Sequence, residues 1–161
     1  MLPVPRRRNK TRRICLLLVL LSASATLAGA VERVDVEFLG VDFGHFETYR
    51  WKPGAPAPNF QVEQAIHQTV DAQLAAKGLR EVDDEADCFV ITRAAKDRHF
   101  PVGVLIVEVF EADSERLVWR GMATGTVTSD KVKKRQKITV RLVKKMFKQF
   151  PYLTKQSARE R

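Results

Sequence analysis

Apolar and polar positions first alternate with a period of two. Between 31 and 38, Val34, Val36 and Phe38 fall on one side and Arg33, Asp35 and Glu37 on the other, which predicts a half-buried strand. Phe43 to Glu47 reads as a loop, and Thr48-Tyr49-Arg50-Trp51 as a short second strand. Pro53, Pro56 and Pro58 forbid a helix and mark a turn and linker. The period then lengthens. Val62, Ile66, Val70 and Leu74 recur at helical spacing, with Asn59 suited to cap the start and Gly78 the end.

Arg80 to Asp87 is an acidic connector, and Cys88 to Thr92 reads as a buried strand. Val102 to Glu111 is apolar on both faces, the mark of a strand in the middle of a sheet, and Leu117 to Val127 returns as its hairpin partner. Gly121, Ala123 and Gly125 share one face of that partner and predict a closely packed helix above them. Asp130 is the expected cap of a last helix running to about Phe150. Thr139, Leu142, Val143, Met146, Phe147 and Phe150 form its inner stripe; Lys133, Lys137, Arg141, Lys144 and Lys148 form its outer one. The order β-β-α-β-β-β-α predicts an α+β fold, a mostly antiparallel sheet of about five strands with two helices packed on one face.

The first thirty residues follow different rules. Six basic side chains (Arg6, Arg7, Arg8, Lys10, Arg12, Arg13) and no acids precede the apolar run Ile14 to Leu21, and Ala28-Gly29-Ala30 ends the segment. A basic stretch, a short apolar core and an A-x-A end are the three parts of a secretory signal. Cleavage between Ala30 and Val31 is expected, with Ala25 as a second candidate. The alternative is an uncleaved inner-membrane anchor, for which 17 residues from Ile14 to Ala30 are short against the roughly 20 that span a bilayer. Thr11-Arg12-Arg13 hints at a twin-arginine signal, but Ile14-Cys15 fits that pattern poorly. The expected organisation is a signal peptide over 1–30, one domain over 31–150 and a flexible basic tail over 151–161, in a periplasmic protein.

Export changes the meaning of the charge. The whole chain carries 28 basic and 19 acidic residues, formally +9, but removal of the signal leaves 22 basic residues and about +3. The remainder is uneven: 31–130 holds 10 basic and 18 acidic residues, whereas 131–161 holds 12 basic and one acidic. Only Cys88 remains after the signal, so no disulfide within the chain is expected.

No catalytic constellation emerges. His45, His67 and His99 show no metal-binding spacing and read as coincident surface histidines. Ser114, Ser129 and Ser157 lack the G-x-S-x-G context of a nucleophile. Cys88, between Asp87 and Phe89, reads as core, with a thiol pKa raised in the wrong direction for catalysis. Asp83, Asp84, Glu85 and Asp87 lack the Gly and Glu of a calcium loop and read as a solvated connector. Neither a metal nor an organic cofactor is expected. The basic stripe of the last helix is the best candidate contact, with an anionic lipid surface or an acidic envelope protein as partner. Two bland readings stand beside it: a solvated helix face and a basic segment that complements the acidic body. Nucleic acid is excluded as a partner for an exported protein. Trp51 and Trp119 mark the competing place for a ligand pocket or an unrecognised enzyme site.

Several short stretches occur in a characteristic order: Tyr49-Arg50-Trp51; Val70-Asp71-Ala72-Gln73-Leu74-Ala75-Ala76-Lys77-Gly78; Ala86-Asp87-Cys88-Phe89-Val90; Gly103 to Val107; Leu117-Val118-Trp119-Arg120-Gly121; and Phe150-Pro151. This order resembles the domain of unknown function 4136 family of bacterial envelope lipoproteins, over nearly the whole chain after the signal. The resemblance implies a periplasmic α/β domain of a Gram-negative bacterium, usually tethered by an N-terminal lipid, and carries no catalytic residues. Leu27-Ala28-Gly29 is the run that precedes a lipidated cysteine, but Ala30 stands where the thiol would be, so a soluble form is expected. The reading is therefore a non-enzymatic binding or structural module of the envelope, with a membrane-surface protein and an enzyme as alternatives.

Overall fold

The computed structural model describes residues 32–40, 43–96, 99, 102–127 and 131–151. The signal segment, the Ala30–Val31 cleavage point, Asp130 and the tail after Pro151 lie outside the described residues.

Six strands and two helices form the fold: β1 (Arg33–Phe38), β2 (Thr48–Trp51), α1 (Phe60–Ala76), β3 (Arg80–Glu81), β4 (Cys88–Lys96), β5 (Val102–Glu111), β6 (Leu117–Thr126) and α2 (Val132–Phe147). They make one sheet in the order β1-β6-β5-β4-β2-β3. The α+β class and the helix-covered face are as the pattern predicts, and β5 is central. The strand count and direction are not. β3 is an additional strand, and β2 runs parallel to both β3 and β4. The cause is α1: a helix between two strands of one sheet returns the chain to the end where it began, so the next strand runs the same way, whereas a hairpin reverses it.

Both ends of α1 follow local chemistry. The Asn59 side chain accepts the Val62 N–H at 3.1 Å, satisfying one of the unpaired donors of the first turn. At the other end Lys77 is the last cap and Gly78 follows at φ +100°, a left-handed value suited to glycine. The Gly78 N–H donates to Ala75 O at 3.0 Å and the Leu79 N–H to Leu74 O at 3.1 Å, the paired closure that ends a helix. α2 starts differently. Its cap is Lys131, whose side chain makes no capping hydrogen bond, and its first turn holds no acid.

The core lies between the sheet and the two helices. Ile66, Val70 and Leu74 of α1 and Val143, Met146 and Phe147 of α2 are buried over Val90, Val107, Val109 and Trp119. In the stretch expected as a loop, Phe43 opens a single 3-10 turn (Phe43–His45) and Phe46 follows it, and both are buried. Phe43 meets Phe150 edge-on at 5.3 Å, and Trp119 lies 5.1 Å from Phe147 and 5.0 Å from Phe150. These rings close one end of the molecule. The linker from Pro53 to Pro58 also does more than connect: Ala55 N donates to Thr92 O at 3.1 Å and accepts Ala94 N at 2.8 Å through its own carbonyl, extending β2's pairing along β4.

Candidate functional site

The basic face is where the pattern puts it. Lys133, Lys137, Arg141, Lys144 and Lys148 are all exposed on α2, opposite the buried Leu142, Val143, Met146 and Phe147. Arg141 is paired with Glu32 at the start of β1. Lys133, Lys137, Lys144 and Lys148 form no ion pair with any other described residue. Of these five residues, Arg141 is the one that neutralises an acid of the described body.

The two tryptophans, named as the competing place for a ligand pocket, stand apart. Trp119 is wholly buried beneath α2, and Trp51 lies on β2, with β5 and β4 between them; three strand spacings amount to about 14 Å. Trp51 belongs instead to a network between β2 and α1. Its Nε1–H and the Tyr49 hydroxyl both donate to Asp71 Oδ1 at 2.9 Å. The His67 ring stacks on Trp51 at 4.0 Å, and its Nε2 lies 3.0 Å from Glu63 Oε1. His67 is thus an ordered member of a network, not a coincident surface residue. Burial, and then the Asp71 carboxylate, hold the Tyr49 hydroxyl above its ordinary pKa, so it stays protonated and serves as a donor. Burial and the nearby carboxylates of Asp71 and Asp83 raise Glu81 as well.

Cys88 behaves as read. It is fully buried, its thiol donates to Thr48 O at 3.4 Å, and burial with Asp87 alongside pushes its pKa up to about 12. Asp87 does not remain in the solvated connector. One of its oxygens accepts from the backbone N–H of Glu47 at 2.8 Å, the N–H of Thr48 at 2.9 Å and the Thr48 hydroxyl at 2.8 Å. Although partial burial pushes the other way, these donors hold the carboxyl below its usual range. Among the described residues no group of three or more His, Cys, Asp or Glu side chains is placed to hold a metal.

The sheet face away from the helices carries a charge that sequence reasoning passed over. Glu108 is 4% exposed. It pairs with Arg120, whose Nε and Nη2 both lie at 2.9 Å, and with Arg93; Arg120 reaches on to Glu37 at 3.3 Å. The cross-strand register sets Glu108 opposite Arg120, and that pairing is the signal that was available. Nearby, Phe89 stacks on Phe110 at 5.0 Å under the Lys52 ammonium.

Sequence reasoning also missed a cleft. It opens between the sheet and the N-terminal half of α2, at the end opposite the aromatic cluster, and encloses about 130 Å³. The small residues of β6 explain it. At Gly121 the helix packs closely, as expected: an added Cβ would stand 2.6 Å from the Trp119 ring and 3.0 Å from Met146 Sδ. One turn nearer the start of α2 the packing is looser. A Cβ at Gly125 would meet nothing nearer than Glu32 Cγ at 3.7 Å and Leu142 Cδ1 at 3.8 Å. Val62, Ile66, Leu105, Ile138 and Leu142 give the cleft apolar walls, and its charged lining residues are Lys96 and Arg135. Among its described lining residues there is no carboxylate.

The family model described as Domain of unknown function (DUF4136) matches residues 33–152. The chain belongs to this family. The resemblance carried by the ordered motifs is thereby established over the whole of the described fold. The PelC dodecamer from Paraburkholderia phytofirmans is similar at 12% identity and TM-score 0.53, with 72% of this chain and 94% of that chain covered. A PDZ domain protein from Parabacteroides distasonis is similar at 15% identity and TM-score 0.56, covering 78% of this DUF4136 chain but 37% of that longer one. A lipoprotein from Neisseria meningitidis is more distant, at 8% identity and TM-score 0.43 over 65% of this chain and 99% of that one. At these identities what is shared is the fold. Curated proteins include no match to the chain. Among the described residues no helix is long and apolar enough to cross a membrane.

Proposed function

We propose that this chain is exported and works in the cell envelope as a non-enzymatic binding module, seated on an anionic surface by the lysine face of α2. One observation carries the reading: Lys133, Lys137, Lys144 and Lys148 lie exposed along one face, and none is neutralised by a described residue. A helix packed on a sheet needs a polar outer face, but a merely solvated one has no need of a single sign. Opposite charges at helical spacing would stabilise it further, and this face omits them. What supports binding over catalysis is that the buried thiol and tyrosine are held in their protonated forms and that the cleft's described walls are mainly apolar.

The test begins with the protein recovered from fractionated cells. A periplasmic species with the mass of residues 31–161 is expected. That species should sediment with vesicles of phosphatidylglycerol and less so as salt rises. Reversal at Lys137, Lys144 and Lys148 to Glu should weaken binding about 100-fold or more, at about 1 kcal/mol per lysine. Binding indifferent to salt and to these changes would sink the surface reading.

A second reading concerns self-association. Among the described residues β1 is the outer strand, paired on one side with β6, while Phe38 at its end and Leu39 after it are 49% and 43% exposed. An open edge with apolar neighbours is a ready contact for another chain, and the similar PelC structure is titled a dodecamer. Light scattering should give a multiple of the protomer mass that Leu39→Lys reduces. A protomer mass at every concentration tried would remove this reading.

A further inference from the structure

We propose that the sheet face opposite the helices docks a second copy of this chain, face to face about a two-fold axis parallel to the strands. This surface is distinct from the lysine face and from the β1 edge, and it depends on neither.

Both helices lie on one side of the sheet, over Val90, Val107 and Val109. Alternation sends Ile91, Val104, Ile106 and Met122 to the other side, where each is only partly buried. A sheet face that meets only water carries polar side chains, so these four call for a cover. The charges around them say which. Strand register sets Asp35 of β1, Met122 of β6, Ile106 of β5 and Arg93 of β4 in one row across the sheet. The next row is Glu37, Arg120, Glu108 and Ile91. The first row therefore runs from acid through two apolar residues to base. A two-fold axis along the strands, between β5 and β6, lays each row on its own reverse. Asp35 of one copy then faces Arg93 of the other, Met122 faces Ile106, and Arg120 lies over Glu108, each contact occurring twice. Glu37 falls opposite Ile91 at the rim, beneath the outer strand, where its carboxylate keeps its water. A two-fold axis across the strands would instead lay β1 on β1, acid on acid. The face is complementary to itself in one orientation.

These charged groups have partners in their own chain: Arg33 for Asp35, Glu108 for Arg93, and Glu108 and Glu37 for Arg120. Docking needs them exposed, not vacant, and the side chains of Asp35, Arg93 and Arg120 are 41%, 46% and 41% exposed. Four strands at ~4.8 Å spacing and about eight residues long present about 500 Å² per copy. A pair then buries about 1,000 Å², the small end of specific interfaces, which suits a reversible dimer.

Sedimentation of the protein recovered from cells, from about 1 μM to 1 mM, should show a monomer–dimer equilibrium with Kd in the micromolar range. Asp35→Lys and Arg93→Glu should each weaken it at least tenfold, because each sets like charges together twice. An equimolar mixture of these two variants should recover a dimer of parent affinity, since Lys then faces Glu and Arg93 faces Asp35. A role inside one chain is not restored by mixing. Met122→Glu with Ile106→Lys forms a second pair with the same expectation and serves if Arg93→Glu does not fold. Leu39→Lys, at the β1 edge, should leave this dimer intact. A protomer mass at every concentration would overturn the proposal and leave the face to another occupant. So would single variants that dimerise like the parent, or folded variants whose mixture stays monomeric. Loss of all association in Leu39→Lys would also overturn it, leaving the strand edge as the contact.

Discussion

At the scale of single residues, the sequence was most misleading where charge was densest. Asp87 stands among Glu81, Asp83, Asp84 and Glu85 and reads as one more solvated acid. Its partners, Glu47 and Thr48, lie 40 and 39 residues earlier, and no local pattern reports a contact of that separation. Cys88 was legible because one neighbour and one burial tendency suffice to describe it. The two assignments predict different responses to pH. A carboxyl held below its ordinary value of 3.8 stabilises the fold above that value and loses its effect as pH falls through the folded-state pKa. Asp87→Asn should therefore cost about 1 kcal/mol at pH 7, the difference between charged and neutral acceptors at an exposed site. Parent and variant should converge in denaturant melts as pH falls below about 4. A gap of constant size down to pH 2 would show that shape, not charge, is what Asp87 supplies.

At the scale of elements, periodicity located both helices and the long strands, because each presents a continuous stripe to one core. It did not reveal β3. A two-residue strand, Arg80–Glu81, exposed at both positions, has no alternation to read. Nor did it reveal parallel pairing, which comes from the path of α1 and not from the composition of the strands. β4 ran to Lys96, beyond the expected Thr92, because Ala94 gains a partner from the proline linker. The small residues of β6 were half legible. Their predicted meaning, a closely packed helix, holds at Gly121 and loosens at Gly125, where an added Cβ would find only ordinary contact distances. The lysine stripe was fully legible as a face, since it needs only the 3.6-residue period; its lack of partners depends on where Glu32 and the other acids fall in space.

At the scale of the whole molecule, the two ends of the core differ in kind. At one end Phe43, Phe46, Trp119, Phe147 and Phe150 are each 3% exposed or less and in ring contact. At the other, Ala123 and Gly125 face a hollow under a helix that begins without a side-chain cap. Local opening free energies follow buried apolar contact, so the hollow end should open first although the same strands, β5 and β6, run through both. Native-state hydrogen exchange resolves this along a single hairpin. Amides of Val104, Leu105, Ala123 and Gly125 should exchange at least tenfold faster than those of Val107, Val109, Trp119 and Gly121. Gly125 lies past the last β1 pair, so the comparison of Leu105 with Val109 and of Ala123 with Trp119, inside ladders paired on both sides, is the one that reports what packs above the sheet. Uniform protection along the hairpin would mean that α2 closes on the sheet in solution and that the hollow is not a standing feature of the fold. Faster exchange confined to the hollow end would identify the part of the molecule where a ligand has most to add, because binding stabilises whatever it orders.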